Sequence, residues 1–350
     1  MGIGRRFHES KRIATDRDLA TPPKTYERSP PAAIPMNDDN DAGGAIAEST
    51  DHAASGAPDA GWAIGDRFSS EEIFQRVLAT ADEEVATGTR ELFFSGLAAG
   101  FAIVITFVGH AAVSAYFPES TLLGSLLYPI GFIYIILGRY QLYTENTLPP
   151  VALVLARLAS LPMMVRVWVV VLLGNVLGAA LGVFVLANSH VLSTAAMQAG
   201  ADFTRTGLET AWWDVFFKAL FAGWLVAGVV WLGHAVQDSV TRLFLIYIVF
   251  YTIAAAELYH VVTTAADALF FVFIGEAGLL TVGYAFWLPV LLGNTVGGVF
   301  LVALVNYGQT ERQRFPEVRG LSLREWLVGW EGGREREPVN IKEAGPRDDD

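Results

Sequence analysis

The sequence predicts an all-α membrane protein of six transmembrane helices, arranged as a 3+3 inverted repeat with the second and fifth helices broken. Three observations predict it. First, 53% of the 350 residues are apolar and only 17% charged, against about 25% charged in an ordinary soluble domain, and the mean hydropathy is +0.40. The shortage of charge is local: residues 91–308 hold six basic and ten acidic side chains, whereas 1–90 hold ten and sixteen. Second, the stretches 93–116, 168–187, 212–235 and 284–307 are each apolar over the roughly 20 residues that a bilayer core requires. Third, the membrane region repeats itself. Leu172-Leu173-Gly174-Asn175-Val176-Leu177-Gly178 echoes Leu291-Leu292-Gly293-Asn294-Thr295-Val296-Gly297. Phe93-Phe94 through Gly100 to Gly109-His110 echoes Phe216-Phe217 through Gly223 to Gly233-His234.

In chain order, residues 1–65 combine Pro22-Pro23 and Pro30-Pro31 with the polar run Asn37 to Asp41 and much Ala, Gly and Ser. Such a composition buries too little apolar surface to fold, so a disordered tail is expected, without the continuous apolar run of a signal peptide. Ser69 and Glu72 fit a capping box, and Ile73, Phe74, Val77, Leu78 and Val85 recur at helical spacing; an amphipathic helix of roughly 66–88 is expected within a segment 66–90. The membrane domain then occupies 91–308. Its second apolar stretch, 121–156, is interrupted by Gly138 to Asn146 and followed at once by Pro149-Pro150. Its fifth, 243–272, is interrupted around Glu257, His260 and Asp267, and Gln141-Leu142-Tyr143-Thr144 in the first break reads like Glu257-Leu258-Tyr259-His260 in the second. An acidic tail, 309–350, closes the chain, with Leu321, Leu323, Trp326, Leu327 and Trp330 spaced for a short interfacial helix.

Basic residues set the expected orientation. With the N-terminus in the cytoplasm, the inner loops carry Arg157, Arg166, Arg242, Arg312, Arg314 and Arg319, and the outer loops only Arg205; both termini are therefore expected inside, in a multi-pass protein of the cell membrane. The absence of cysteine excludes disulfides, thiolate metal sites and a Cys nucleophile. A net charge of −12 argues against nucleic acid as a partner. Four lysines against twenty arginines, with acidic tails, suit exposed segments bathed in concentrated salt, as in a salt-adapted prokaryote.

Two halves of three passes each must run in opposite senses, and broken helices at matched positions mark a transport pathway with its site where the breaks meet. The breaks imply a cavity, because backbone groups freed in lipid need protein or water partners. Together, the six passes, the two interruptions, Leu142-Tyr143-Thr144, His260 and the paired Leu-Leu-Gly-Asn elements resemble the formate/nitrite transporter family, in its divergent branch. The resemblance covers roughly 70–308. It implies an aquaporin-like protomer within a homopentamer, each protomer having its own pore for a small monovalent anion; no cofactor and no enzymatic activity are expected of the chain. It also implies roles: His260 as the central pore histidine, Thr144 as the polar residue facing it, and Leu142 and Tyr143 in one constriction with Tyr128 and Phe132 in the other, Gly131 lying between that pair. The family's carboxylate before the histidine is Tyr259 here, its asparagine four residues later is Thr264, and its fourth-helix asparagine is Gly223.

The residues themselves suggest a mechanism. Imidazole exchanges a proton near neutral pH, and a desolvated weak-acid anion gains affinity for one, so proton-coupled passage through His260 is one reading; a structural histidine bonding the broken backbone is the other. Half-helix N-termini would attract the anion beforehand. Thr144 either binds substrate or caps the half-helix that follows. Arg139, Glu145 and Glu257 are costly in a bilayer, which favours an Arg139 pair with Glu145 or Glu257 over substrate contact. Asp267 and Lys218 are expected at hydrated span ends. His110 and His234 have no ligand partner at i+3 or i+4, so no metal is expected. The competing functions are a neutral-solute channel for water, glycerol or ammonia, which would lack its usual Asn-Pro-Ala repeats here, a membrane enzyme without a visible nucleophile and base, and a non-transporting membrane scaffold.

Overall fold

The computed structural model describes residues 68–310 and 320–332. The expected disordered tail 1–65 and most of the acidic tail lie outside these residues. Among the described residues every regular element is helical. The helix Ser70–Ala86 (α1) begins at the foreseen capping box, with Ser69 and Glu72 bonded reciprocally. Its apolar face, Phe74, Val77, Leu78, Ala81 and Val85, is buried and packs against Pro149–Leu155. Arg166 fastens its C-terminal end through the carbonyls of Val85 (2.7 Å) and Thr87 (3.0 Å).

Thr89–Tyr116 (α2) is the first of four helices long and apolar enough to cross a membrane. The first interrupted segment follows as Thr121–Leu137 (α3), a break, and Pro149–Leu155 (α4). The chain continues through the long Leu161–Ala187 (α5), the short Thr194–Glu209 (α6) and the long Trp212–Ala235 (α7). The second interrupted segment is Ser239–Ala255 (α8) and Val261–Phe273 (α9), and the last long helix is Leu279–Gly308 (α10). Leu323–Val328 (α11) starts at a second capping box, Ser322 with Glu325. The Trp326 indole donates to Val154 O (2.8 Å), which fixes α11 on the end of α4.

The sequence reading lacks α6. Its buried residues Ala196, Gly200, Ala201, Thr204 and Gly207 recur at helical spacing and Ser193 caps Ala196 N, but so short and weakly apolar a helix does not stand out beside spans of about 20 apolar residues.

The four half-helices share one way of stopping. Arg139 (φ 58°), Arg157 (φ 56°), Glu257 (φ 54°) and Gly275 (φ 85°) are left-handed. After each, the next amide bonds back across the turn: Tyr140 to Ile135, Leu158 to Leu153, Leu258 to Ile253 and Glu276 to Phe271. This is the Schellman closure, and in three cases a residue other than glycine holds it, at a cost of about 1 kcal/mol. The long helices pair just as regularly. A methyl on Gly100 would collide with Asn175 O, and one on Gly223 with Asn294 O, so glycine lets α2 approach α5 and α7 approach α10 at backbone distance.

Candidate functional site

Both breaks are held by a buried carboxamide. Asn175 on α5 donates to Gly96 O (2.8 Å) and Gln141 O (2.9 Å) and accepts from Tyr143 N (2.9 Å). Asn294 on α10 donates to Ala219 O (2.7 Å) and Tyr259 O (2.9 Å) and accepts from Val261 N (2.8 Å). The device satisfies the backbone groups that an interruption would leave bare. It also corrects the register inferred from side chains: Gln141 corresponds to Tyr259 and Leu142 to His260, two residues away from the pairing of Leu142-Tyr143 with Leu258-Tyr259.

His260 is fully buried at the start of α9. Its Nδ1 accepts from the amides of Val262 (3.3 Å) and Thr263 (3.5 Å), capping α9. An accepting Nδ1 leaves the neutral ring's hydrogen on Nε2, which donates to Thr144 Oγ1 at 2.7 Å. Thr144 comes from the other break, so this bond joins the two. Phe132 presents its ring to the imidazole edge-on, centroids 4.9 Å apart, and stacks on Phe250 at 3.7 Å. Tyr128 bonds Thr263 through its hydroxyl (2.9 Å). Thus Tyr128, Phe132, Thr144 and His260 form one buried cluster. Leu142 is buried beside it in the chain, while Tyr143 reaches elsewhere, its hydroxyl to Thr295 on α10 (2.8 Å) and its ring towards Trp168.

Several expectations need correction. Thr144 does not cap α4: its hydroxyl meets His260, and no side chain caps the turn that follows it. Free amides do not await an anion at α9, because Val261 N is taken by Asn294, Val262 N and Thr263 N by His260 Nδ1, and Thr264 N by His260 O. Arg139 makes no ion pair among the described residues. As an exposed left-handed closing residue of α3 it lies by a cavity of about 670 Å³ with Glu145, whereas Glu257 pairs with Lys218 (3.5 Å) by another of about 320 Å³. Asp267 is half-buried, as expected of a residue that water can reach, and it lines the smaller cavity with His260. Glu84 of α1 shares the larger one, with Oε2 shut from solvent and unbonded. Burial pushes its carboxyl up to about 8, opposed by the Gln141 side chain and assisted by Glu83.

The sequence reading assigned no site role to Asn175, Asn294, Phe250 or Thr263. The asparagines carried a signal, since a carboxamide in an apolar span is expensive unless it holds something; Phe250 carried none.

Comparison with known proteins matches this architecture. The model of a family described as formate/nitrite transporter covers residues 71–308. The chain is 28% identical over 242 residues to the inner membrane protein YfdC of Escherichia coli (strain K12), covering 68% of this chain and 77% of that one. It is 26% identical over 250 residues to the formate channel FocA of Haemophilus influenzae, covering 61% and 84%. Among solved structures, an FNT family ion channel superimposes with a TM-score of 0.59 at 18% identity, covering 68% of this chain and 99% of that chain. A pentameric formate channel with formate bound superimposes with a TM-score of 0.55 at 18% identity, covering 63% and 96%.

Proposed function

The chain belongs to the formate/nitrite transporter family, and from that premise we propose that it carries the small monovalent anion of a weak acid, of the formate or nitrite kind, across a membrane together with a proton. The observation that carries the proposal is the Thr144–His260 bond between the two breaks, closed over by Phe132, with the smaller cavity at His260 and the larger at Glu145, which follows Thr144 in the chain. In this reading the protomer has six passes as two inverted halves, both termini lie in the cytoplasm, and five protomers assemble, each with its own pore.

The chemistry at the junction favours a neutral passenger. Beside the bond lie aromatic rings, and no Lys or Arg is bonded there; a bare anion would lose its hydration without a compensating charge. The Thr144 oxygen already takes the Nε2 hydrogen, so its own O–H is the donor turned to a passing acid. A proton reaching His260 enters at Nδ1 and displaces the Val262 and Thr263 amides. Protonation of the ring and release of the first turn of α9 are then one event, and this couples proton movement to opening.

Labelled formate or nitrite uptake into proteoliposomes, with and without an imposed pH gradient, tests the proposal. Wild-type uptake that accelerates with an inward proton gradient is expected, and replacement of His260 by Asn is expected to remove the acceleration. Gradient-driven uptake that survives the replacement overturns the role of His260.

A further inference from the structure

Resting on the transport reading above, we infer that the cavity beside His260 binds a small carboxylic or similar oxo acid as a pair sharing one proton with Asp267, and that Asp267 is the residue that makes loading consume a proton. The Thr264 hydroxyl is the second contact.

The geometry begins with the spacing on α9. His260, Thr263, Thr264 and Asp267 lie at i, i+3, i+4 and i+7, which is one helical face, and all four line the cavity of about 320 Å³. The first two are occupied: His260 by Thr144 and the α9 amides, Thr263 by His260 O (2.9 Å) and the Tyr128 hydroxyl. The other two are not. Thr264 is 1% exposed and its Oγ1 has no hydrogen-bond partner, a buried hydroxyl that a bound group would satisfy. Asp267, one turn on, has neither an ion pair nor a hydrogen bond among the described residues.

The surroundings of Asp267 fix the ligand's charge. The cavity wall holds three carboxylates, Asp202, Glu257 and Asp267, and no Lys or Arg. Asp202 is held by Arg205 of the same helix, which also reaches Glu276, and Glu257 is held by Lys218. The remaining titratable groups facing the cavity are His110 from α2, stacked on Phe203, Tyr128 from α3, and Tyr259 and His260 from the second break. The one charge of α5, Arg166, is bound to Val85 and Thr87, and α10 has none. No cation therefore compensates two facing carboxylates, and two such groups in contact do not both ionise. An anion meeting protonated Asp267 and a neutral acid meeting its carboxylate give the same complex, with one proton between two oxygens and Thr264 O–H on the ligand's other oxygen. On departure towards His260 the shared proton leaves on the ligand oxygen, and the Asp267 carboxylate regains one from water in the cavity.

The test is formate uptake at equal pH inside and outside, from about pH 6 to about pH 9. Measured over a range of formate concentrations, the half-saturating concentration of the wild type should rise towards tenfold per pH unit at the upper end, because loading consumes a proton. Asp267→Asn supplies an amide donor without needing a proton, so its half-saturating concentration should stay level with pH while maximal uptake keeps the fall that passage as the neutral acid imposes; Asp267→Glu should restore the rise. Folded Asp267→Asn whose half-saturating concentration rises with pH as in the wild type overturns the inference while leaving transport standing. Should Asp267→Asn not fold, Thr264→Val decides: uptake lowered about fivefold at the acid end supports the site, and unchanged uptake refutes it. If the wild type moves no acid, the transport reading fails, and the site is judged by thermal unfolding of detergent-solubilised protein with acetic acid at about pH 5.5. Stabilisation lost in Thr264→Val supports it; equal stabilisation in both proteins overturns it.

Discussion

Both ring nitrogens of His260 are already engaged, and this changes what a substitution there tests. Asparagine is among the best N-cap residues and can take over the Val262 and Thr263 amides, whereas phenylalanine can take neither those nor Thr144. His260→Phe is therefore expected to lower stability by about 1–2 kcal/mol more than His260→Asn, read as unfolding in detergent, although both should abolish proton-linked uptake. Thr144→Val leaves the buried Nε2–H without an acceptor and should cost about 1–3 kcal/mol, with Thr144→Ser restoring most of it. The two residues were legible in the sequence because each is polar within an interrupted apolar run. Their division of labour was not, since which nitrogen caps and which crosses to Thr144 depends on the backbone path of both breaks.

At the scale of the element, the breaks show where side-chain likeness misleads. Leu142-Tyr143 and Leu258-Tyr259 look like a matched pair, yet the repeated feature is a backbone contact: Asn175 holds Gln141 and Tyr143, and Asn294 holds Tyr259 and Val261. Carbonyls and amides bear no sequence label, so the register could shift by two residues without any side chain objecting. Asn175→Ala and Asn294→Ala each strand two backbone groups of a break, since the third partner is a helix-interior carbonyl that keeps its own i+4 amide, and each is expected to destabilise the fold by about 3 kcal/mol, measurable by denaturant or thermal unfolding. Their near equality is the informative outcome, because it reports one device used twice. The docking of α1 gives a second expectation. Burial, offset by Gln141, raises Glu84 from 4.5 to about 8, so the docked state favours the protonated carboxyl. Docking is then strongest below the ordinary glutamate pKa and weakens as pH rises from there through about 8. Proteolysis within 68–90 should increase over that window in the wild type and stay level in Glu84→Gln.

For the whole molecule, composition was enough to find the membrane-crossing candidates, because four helices long and apolar enough to cross a bilayer answer the four clean stretches. It was not enough to show α6, which is amphipathic but too short and weakly apolar to register as a span, or that α11 anchors itself on α4. The chain forms two cavities: the smaller, lined by His260, reaches Asp202 on α6, and the larger, lined by Glu145, reaches Glu83 on α1. If the chain crosses the membrane six times with both termini inside, these two cavities open to opposite compartments. The absence of any cysteine makes the point directly measurable, since single cysteines placed at the exposed positions Asp202 and Glu83 have no background. Asp202→Cys should react with a membrane-impermeant maleimide in intact cells, and Glu83→Cys only in inverted vesicles or after permeabilisation. Because a broken helix that turned back instead of crossing would bring both cavities to one face, labelling of the two positions from the same side would refute the six-pass arrangement and the pore that depends on it.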